Sequence, residues 1–333
     1  MFITQIGKDI NECIRHLENG EAVAIPTETV YGLAANALDE DAILKVFKIK
    51  ERPLFDPLIV HTSAFERAED YVESVPDLAY QLADAFMPGP LTIILPKTPK
   101  IPDLVTSGLP AVAIRVPQHI LTRKLLACLP FPLAAPSANP FGYVSPTSPQ
   151  HVYKQLSGKI PYILDGGYCS VGIESTIVRV IDAKRIQILR YGGISPEDIK
   201  KVNPFIEIEM VVSKEKKPIG PGQLKSHYAT KKPLQLMDRS QIEASLRKGD
   251  FDQKTGLMLF QPMDSVNGQE VKSMHLSEEG SFTEAAKNLF KCMRELDEDA
   301  SIQAIVAERF PNEGLGYALN DRLKRAAVKR NFY

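Results

Sequence analysis

The stretch from Ala22 to His61, AVAIPTETVYGLAANALDEDAILKVFKIKERPLFDPLIVH, restricts the possible folds more than any other part of this chain. Four apolar residues, Ala22–Ile25, read as a strand that runs into Pro-Thr-Glu-Thr and a Tyr-Gly turn. Asp39 then stands as a helix N-cap, with Ile43, Val46 and Phe47 on one face at helical spacing. Lys50, three residues past Phe47 and seven past Ile43, leaves that helix on its apolar side, while Lys45, Lys48 and Arg52 share another face. Pro53 stops the helix, and Leu58–His61 reads as a second buried strand. A lysine aimed inward beside an arginine and threonine hydroxyls can build a pocket for phosphate or carboxylate. The alternative is a lysine that snorkels past the core edge. Polar residues on later strand ends decide between the two.

The chain has 333 residues, enough for one large or two ordinary domains with an ample core. Its 40 basic and 41 acidic side chains leave a net charge of −1, so no dominant polyanion-binding surface is indicated. Cys13, Cys128, Cys169 and Cys292 are scattered without a CxxC, which argues against a zinc ribbon or a disulfide framework. The histidines have neither HxH nor HExxH spacing, so a protein-held transition metal is not expected. No GxxxxGK[ST], GxSxG or kinase signature occurs, so any nucleotide would bind without a P-loop. The opening residues carry charges throughout and lack the apolar core of a signal peptide, and no run is long enough to span a membrane. The expectation is a cytoplasmic protein.

In chain order, helices are predicted at Asp9–Asn19, Phe65–Val72, Pro76–Phe86, Leu121–Cys128 and Gln150–Leu156. Strands are predicted at Leu91–Leu95, Ala111–Val116, Pro132–Ala135 and Tyr162–Leu164, with a hairpin of Ser175–Ile181 and Arg185–Arg190. This mixed order fits a twisted mixed α/β sheet with helices over residues 1–203, not a doubly wound parallel fold. Residues 204–232, rich in Lys, Pro and Gly, read as a linker or lid, although His227-Tyr228 is odd content for a passive spacer. From 233 to 333 strands and helices alternate, as in a small Rossmann-like domain, but without GxGxxG after the first strand.

The candidate site residues stand where strands end. In PLAAPSANPFGYVSPT, Ser137, Asn139 and Ser145 offer directed hydrogen bonds among small residues, or form an ordinary proline-rich turn. Arg115 interrupts an apolar strand and needs an anion, either a ligand or a structural carboxylate. Ser175 and Thr176 follow Glu174 at a strand start, as ligand donors or as β-edge hydroxyls. Arg190 ends a strand before Tyr-Gly-Gly, which suits a phosphate or a solvated surface.

Taken in order, PTETVYGL, KIKERPLFDPLIVH, PGPLTIIL, VAIRVP, PLAAPSANPFGYVSPT, GIESTIV and ILRYGGIS resemble the YrdC/Sua5 family. PGQLKSHYAT followed by a small α/β domain is similar to its longer Sua5 branch, so the resemblance covers essentially the whole chain. It implies L-threonylcarbamoyladenylate synthesis, a nucleotidyl transfer. L-threonine, bicarbonate or CO2, and ATP give threonylcarbamoyl-AMP and diphosphate for the t6A37 modification of tRNA. By motif, the family's catalytic positions fall on Lys50 and Arg52, completed as a tetrad by Ser137 and Asn139. Its threonine pocket falls on Thr29, His61, Arg115, Ala135 and Ser175. Its nucleotide contacts fall on Arg52, Asp56, Ala111, Ser137, Asn139, Ser145, Arg190 and Tyr228.

Two positions depart from the pattern: Asp56 stands where the family usually has Asn, and Ala111 where it usually has Thr. An aspartate there repels a triphosphate unless Mg²⁺ intervenes, and Ala111 removes a hydroxyl donor of about 1 kcal/mol. The implied chemistry gathers anions, so fixed cations and Mg²⁺ carried by the ATP phosphates answer it, with no metal held by the protein. The implied partners are the downstream t6A transferase machinery, with tRNA itself an open candidate. Three rivals are a nucleic-acid-binding module, a carbamoyl transferase of hydrogenase maturation and a catalytically silent homologue. Salt-steep RNA binding without ATP turnover would favour the first of them.

Overall fold

The computed structural model describes residues 2–211, 220–221, 227–263 and 271–328. Residues 212–219 and 222–226 of the expected linker lie outside them. The chain divides into two compact units, Met1–Phe141 with Ser145–Leu224, and Gly142–Val144 with Lys225–Tyr333. Among the described residues no helix is long and apolar enough to cross a membrane.

The first unit is built on strands β1 (Gln5–Gly7), β2 (Val23–Ile25), β3 (Gly32–Asn36), β4 (Ile59–His61), β5 (Leu91–Pro96) and β6 (Ala111–Arg115). These continue with β7 (Leu133–Ala134), β8 (Tyr162–Leu164), β9 (Thr176–Val180), β10 (Arg185–Arg190) and β11 (Glu207–Met210). They form one sheet in the order β1-β8-β2-β3-β7-β4-β6-β5-β9-β10-β11, mixed in direction as the order of elements predicts. Helices α1 (Ile10–Glu18), α2 (Glu40–Lys50), α3 (Asp77–Phe86), α4 (Asp103–Thr106), α5 (Ile120–Cys128), α6 (Pro149–Leu156) and α7 (Pro196–Val202) accompany it.

Helix α2 places the first candidate lysine. Asp39 caps it by accepting from the amides of Asp41 and Ala42, and Glu51 ends it in the left-handed region at φ 56°. Ile43, Val46, Phe47 and Lys50 are buried together, so the spacing that aimed Lys50 inward holds.

Several elements differ from the sequence prediction. Gly32–Asn36 is a strand, not a turn leading into a helix. It lies between β2 and β7, and a run of small apolar residues buried on both sides has no alternation to betray it. Gln5–Gly7 is an edge strand that pairs in parallel with β8, far along the chain. Helix α7 was not predicted, although Ser195 and Asp198 form a capping box. Phe65–Val72 yields only a 3₁₀ turn, Glu66–Asp70. Strand β11, inside the stretch read as linker, pairs in parallel with β10.

The second unit is a parallel sheet of β12 (Leu234–Met237), β13 (Thr255–Leu259), β14 (Lys272–His275) and β15 (Ala304–Glu308), ordered β12-β15-β13-β14. Helices α8 (Arg239–Lys248), α9 (Phe282–Glu298) and α10 (Gly316–Ala326) connect and follow it. This is the small α/β architecture that the alternation predicts.

Candidate active site

The register of the first unit brings most of the candidate residues onto one end of the sheet. Strands β4 and β6 are parallel with His61 opposite Arg115, and β5 pairs with both β6 and β9. Two clusters result, one around Arg115 and one around Lys50.

In the first, Arg115 is 4 % exposed and its strand neighbours are apolar. Its Nη2 donates to Glu28 Oε1 at 2.7 Å and to Thr29 Oγ1 at 2.8 Å, and its Nε points to the Gly89 carbonyl at 3.4 Å. Glu28 Oε2 also accepts the Gln118 amide at 2.9 Å, so the carboxylate is fixed at both ends. The structural carboxylate left open by the sequence is thus present, yet Nη1 carries no partner among the described residues. Arg115 can therefore be ion-paired and still receive an anion. Ser175 is buried just before β9, two strands from β6; its hydroxyl shares a hydrogen bond with Thr92 at 2.8 Å and accepts from Arg190 Nη2 at 3.0 Å. Arg190 Nε donates to the Ser175 carbonyl at 3.0 Å. His61 is buried with Nδ1 3.2 Å from the Ile59 carbonyl. Burial, then the Arg115 charge, lower its pKa to about 3, so its ring is neutral.

In the second cluster, Lys50 is 1 % exposed, and its ammonium donates to the Ser137 carbonyl at 2.5 Å and the Asn139 carbonyl at 2.7 Å. Burial first, and Arg52 second, push its pKa well down, with Asp56 opposing. Arg52 donates to the carbonyls of Asp56 and Pro57, each at 3.0 Å, and lies 2.8 Å from Asp56 Oδ2. Asp56 is therefore a buried counter-ion of Arg52 and not an unmatched negative charge aimed at a ligand. The lysine is no snorkelling surface group; it braces the loop that carries Ser137 and Asn139.

The clusters are joined by the segment that follows β7. The Ala135 amide donates to the Ile59 carbonyl at 3.0 Å, and Ser137 bridges Gly32. A Cβ on Gly32 would lie 3.1 Å from that of Ala135, so this contact requires small residues on both sides. Ser145 is buried, donating to Glu174 Oε1 at 2.6 Å. Ala111 begins β6, about 13 Å from Arg115 along the strand. It borders a cavity of about 780 Å³ lined also by Ile94, Lys97 and Arg179. Tyr228 belongs to the second unit, where its ring stacks on Phe290 at 5.4 Å and under Arg322.

Glu28, Glu174 and Thr92 are the site residues that sequence reasoning missed. The signal for Glu28 was an acid between two threonines at the end of an apolar strand, paired with an equally unaccompanied arginine on another. No group of three or more His, Cys, Asp or Glu that could hold a metal ion occurs among the described residues.

The chain is similar to known proteins over most of its length. The Sua5/YciO/YrdC family profile, described as telomere recombination, matches residues 15–192. That of the threonylcarbamoyl-AMP synthase C-terminal domain matches residues 194–328. The threonylcarbamoyl-AMP synthase of Pyrococcus abyssi is 38% identical over 94% of this chain and 92% of its own length. That of Bacillus subtilis is 38% identical over 94% and 91%. The crystal structure of P. abyssi Sua5 complexed with L-threonine superposes with a TM-score of 0.86 at 36% identity, covering 98% of this chain and 97% of that one.

Proposed function

The chain belongs to the Sua5/YciO/YrdC family, and from that membership we propose that it is an L-threonylcarbamoyladenylate synthase serving the t6A37 modification of tRNA. Its substrates are L-threonine, bicarbonate or CO2, and ATP; its products are threonylcarbamoyl-AMP and diphosphate. The observation that carries the reading is the full-length likeness to P. abyssi Sua5 complexed with L-threonine.

The threonine carboxylate takes the Nη1 side of Arg115, because Nη2 is already committed to Glu28 and Thr29. Thr29, Ser175 and the neutral His61 surround the rest of the amino acid, and Ala135 keeps its floor small. Ser145 and Arg190 contact the nucleotide. Lys50 sets the loop of Ser137 and Asn139, and with Arg52 it offers positive charge to the phosphates and to the carbamate.

The threonine nitrogen bonds to the carbon of CO2 and loses a proton. A carbamate oxygen then attacks the α-phosphorus of ATP, and diphosphate leaves. No covalent nucleophile is required; positioning and fixed cations do the work. Mg²⁺ enters with ATP as part of the substrate, carried by the phosphates. Partner proteins are those that take a labile carbamoyl adenylate to tRNA.

The test is diphosphate release at fixed Mg²⁺ with each substrate omitted in turn. Release that needs ATP, L-threonine and bicarbonate together supports the synthase. Release without L-threonine, or none at all, contradicts it.

A further inference from the structure

We propose that Glu28 makes the Arg115 site select a zwitterionic amino acid over a plain carboxylate of the same shape. The proposal rests on the reading above, in which Arg115 receives the threonine carboxylate.

Arg115 and Glu28 are each buried and held in a fixed pair, with Glu28 anchored further by the Gln118 amide. The site therefore presents an oriented pair of opposite charges instead of a bare cation. Arg190 donates to Ser175, and Glu174 accepts the Ser145 hydroxyl, so each of these side chains has its own fixed polar contact. His61 is neutral, and burial with the Glu28 charge pushes the Cys169 thiol up, so neither alters the balance.

A ligand bound at Nη1 of Arg115 lies within a few ångströms of Glu28. At about 6 Å and an effective dielectric near 20, one unit charge feels Glu28 as about a hundredfold in affinity. For a carboxylate that field is repulsive. For the adjacent ammonium of an amino acid it is attractive, so in a zwitterion the two effects largely cancel. A carboxylate without the ammonium keeps the repulsion alone. Glu28 thus sets a charge filter as well as the geometry of Arg115, and excludes small anions that the guanidinium alone would attract.

The experiment is calorimetric titration of the full chain with L-threonine and with 3-hydroxybutanoate, the same skeleton lacking the amino group. The wild type is expected to prefer L-threonine at least about tenfold. In Glu28→Gln the ratio of the two affinities should narrow about tenfold, chiefly through tighter 3-hydroxybutanoate binding, and Glu28→Asp should keep the wild-type ratio. A Glu28→Gln ratio within twofold of the wild type overturns the proposal, because loss of a purely structural role weakens both ligands alike. Should Glu28→Gln not fold, equal binding of the two ligands by the wild type overturns it as well. Failure of the wild type to bind L-threonine at all would instead overturn the functional reading on which it rests.

Discussion

Lys50 and His61 are two buried titratable groups whose pKa values burial and a neighbouring arginine both push down. Lys50 keeps its proton-donating role because two carbonyls await it, whereas His61 is neutralised by burial next to a cation. For His61 the consequence is a pH dependence of stability. Its folded pKa, about 3, lies below the ordinary 6.5, so between these values the unfolded chain binds more protons than the folded one. Stability is therefore lost as pH falls from 6.5 toward 3, by up to about 1.4 kcal/mol per pH unit from this group. Urea melts of His61→Asn at pH 7 and pH 5 should show a flatter decline than the wild type; an equal slope would mean that His61 is not held neutral. Lys50→Arg should fail to rescue activity, with kcat at least about a hundredfold down, because a guanidinium does not fit a site closed around two carbonyls. Near-normal turnover in that variant would contradict the bracing role. The inward aim of Lys50 and the anomaly of Arg115 were legible in sequence because each broke a periodic pattern. Glu28 was not, because it sits in a loop where no period exists to be broken.

At the scale of elements, the site depends on where α2 ends and on how closely β3 passes the segment after β7. Asp39 caps the far end of α2, so Asp39→Ala should cost about 1 kcal/mol of stability while leaving kcat/KM near its original value at 25 °C. A denaturant melt with parallel kinetics checks both halves. Gly32→Ala should act in the reverse sense. The new methyl presses on Ala135 at 3.1 Å, and a displaced Ala135 should raise KM for L-threonine several-fold with a modest loss of stability. An unchanged KM would remove Ala135 from the pocket. Helix α2 and strands β4 to β6 were legible because their periods are clear and their ends carry Asp, Pro or Gly. Strand β3 was hidden by its small residues, and β1 exists only through a partner more than 150 residues away.

For the molecule as a whole, net charge is near zero, and the candidate chemistry rests on a local constellation. The sheet supplies it by setting Arg115 at the end of β6 and Ser175 just before β9, with β5 between them, and Lys50 and Arg52 arrive from a helix terminus. Order of motifs, more than any single motif, made this legible: every isolated signal had an ordinary structural alternative, and several of those alternatives are also realised, as in the Arg115–Glu28 pair. The most direct measurement is transfer of label from [¹⁴C]bicarbonate into an AMP-linked product, with titration of L-threonine binding alongside. The account predicts label transfer only with ATP and L-threonine both present. In Lys50→Ala and Arg52→Ala the transfer should be lost while L-threonine still binds. Label transfer without L-threonine, or transfer that survives both substitutions, would contradict it.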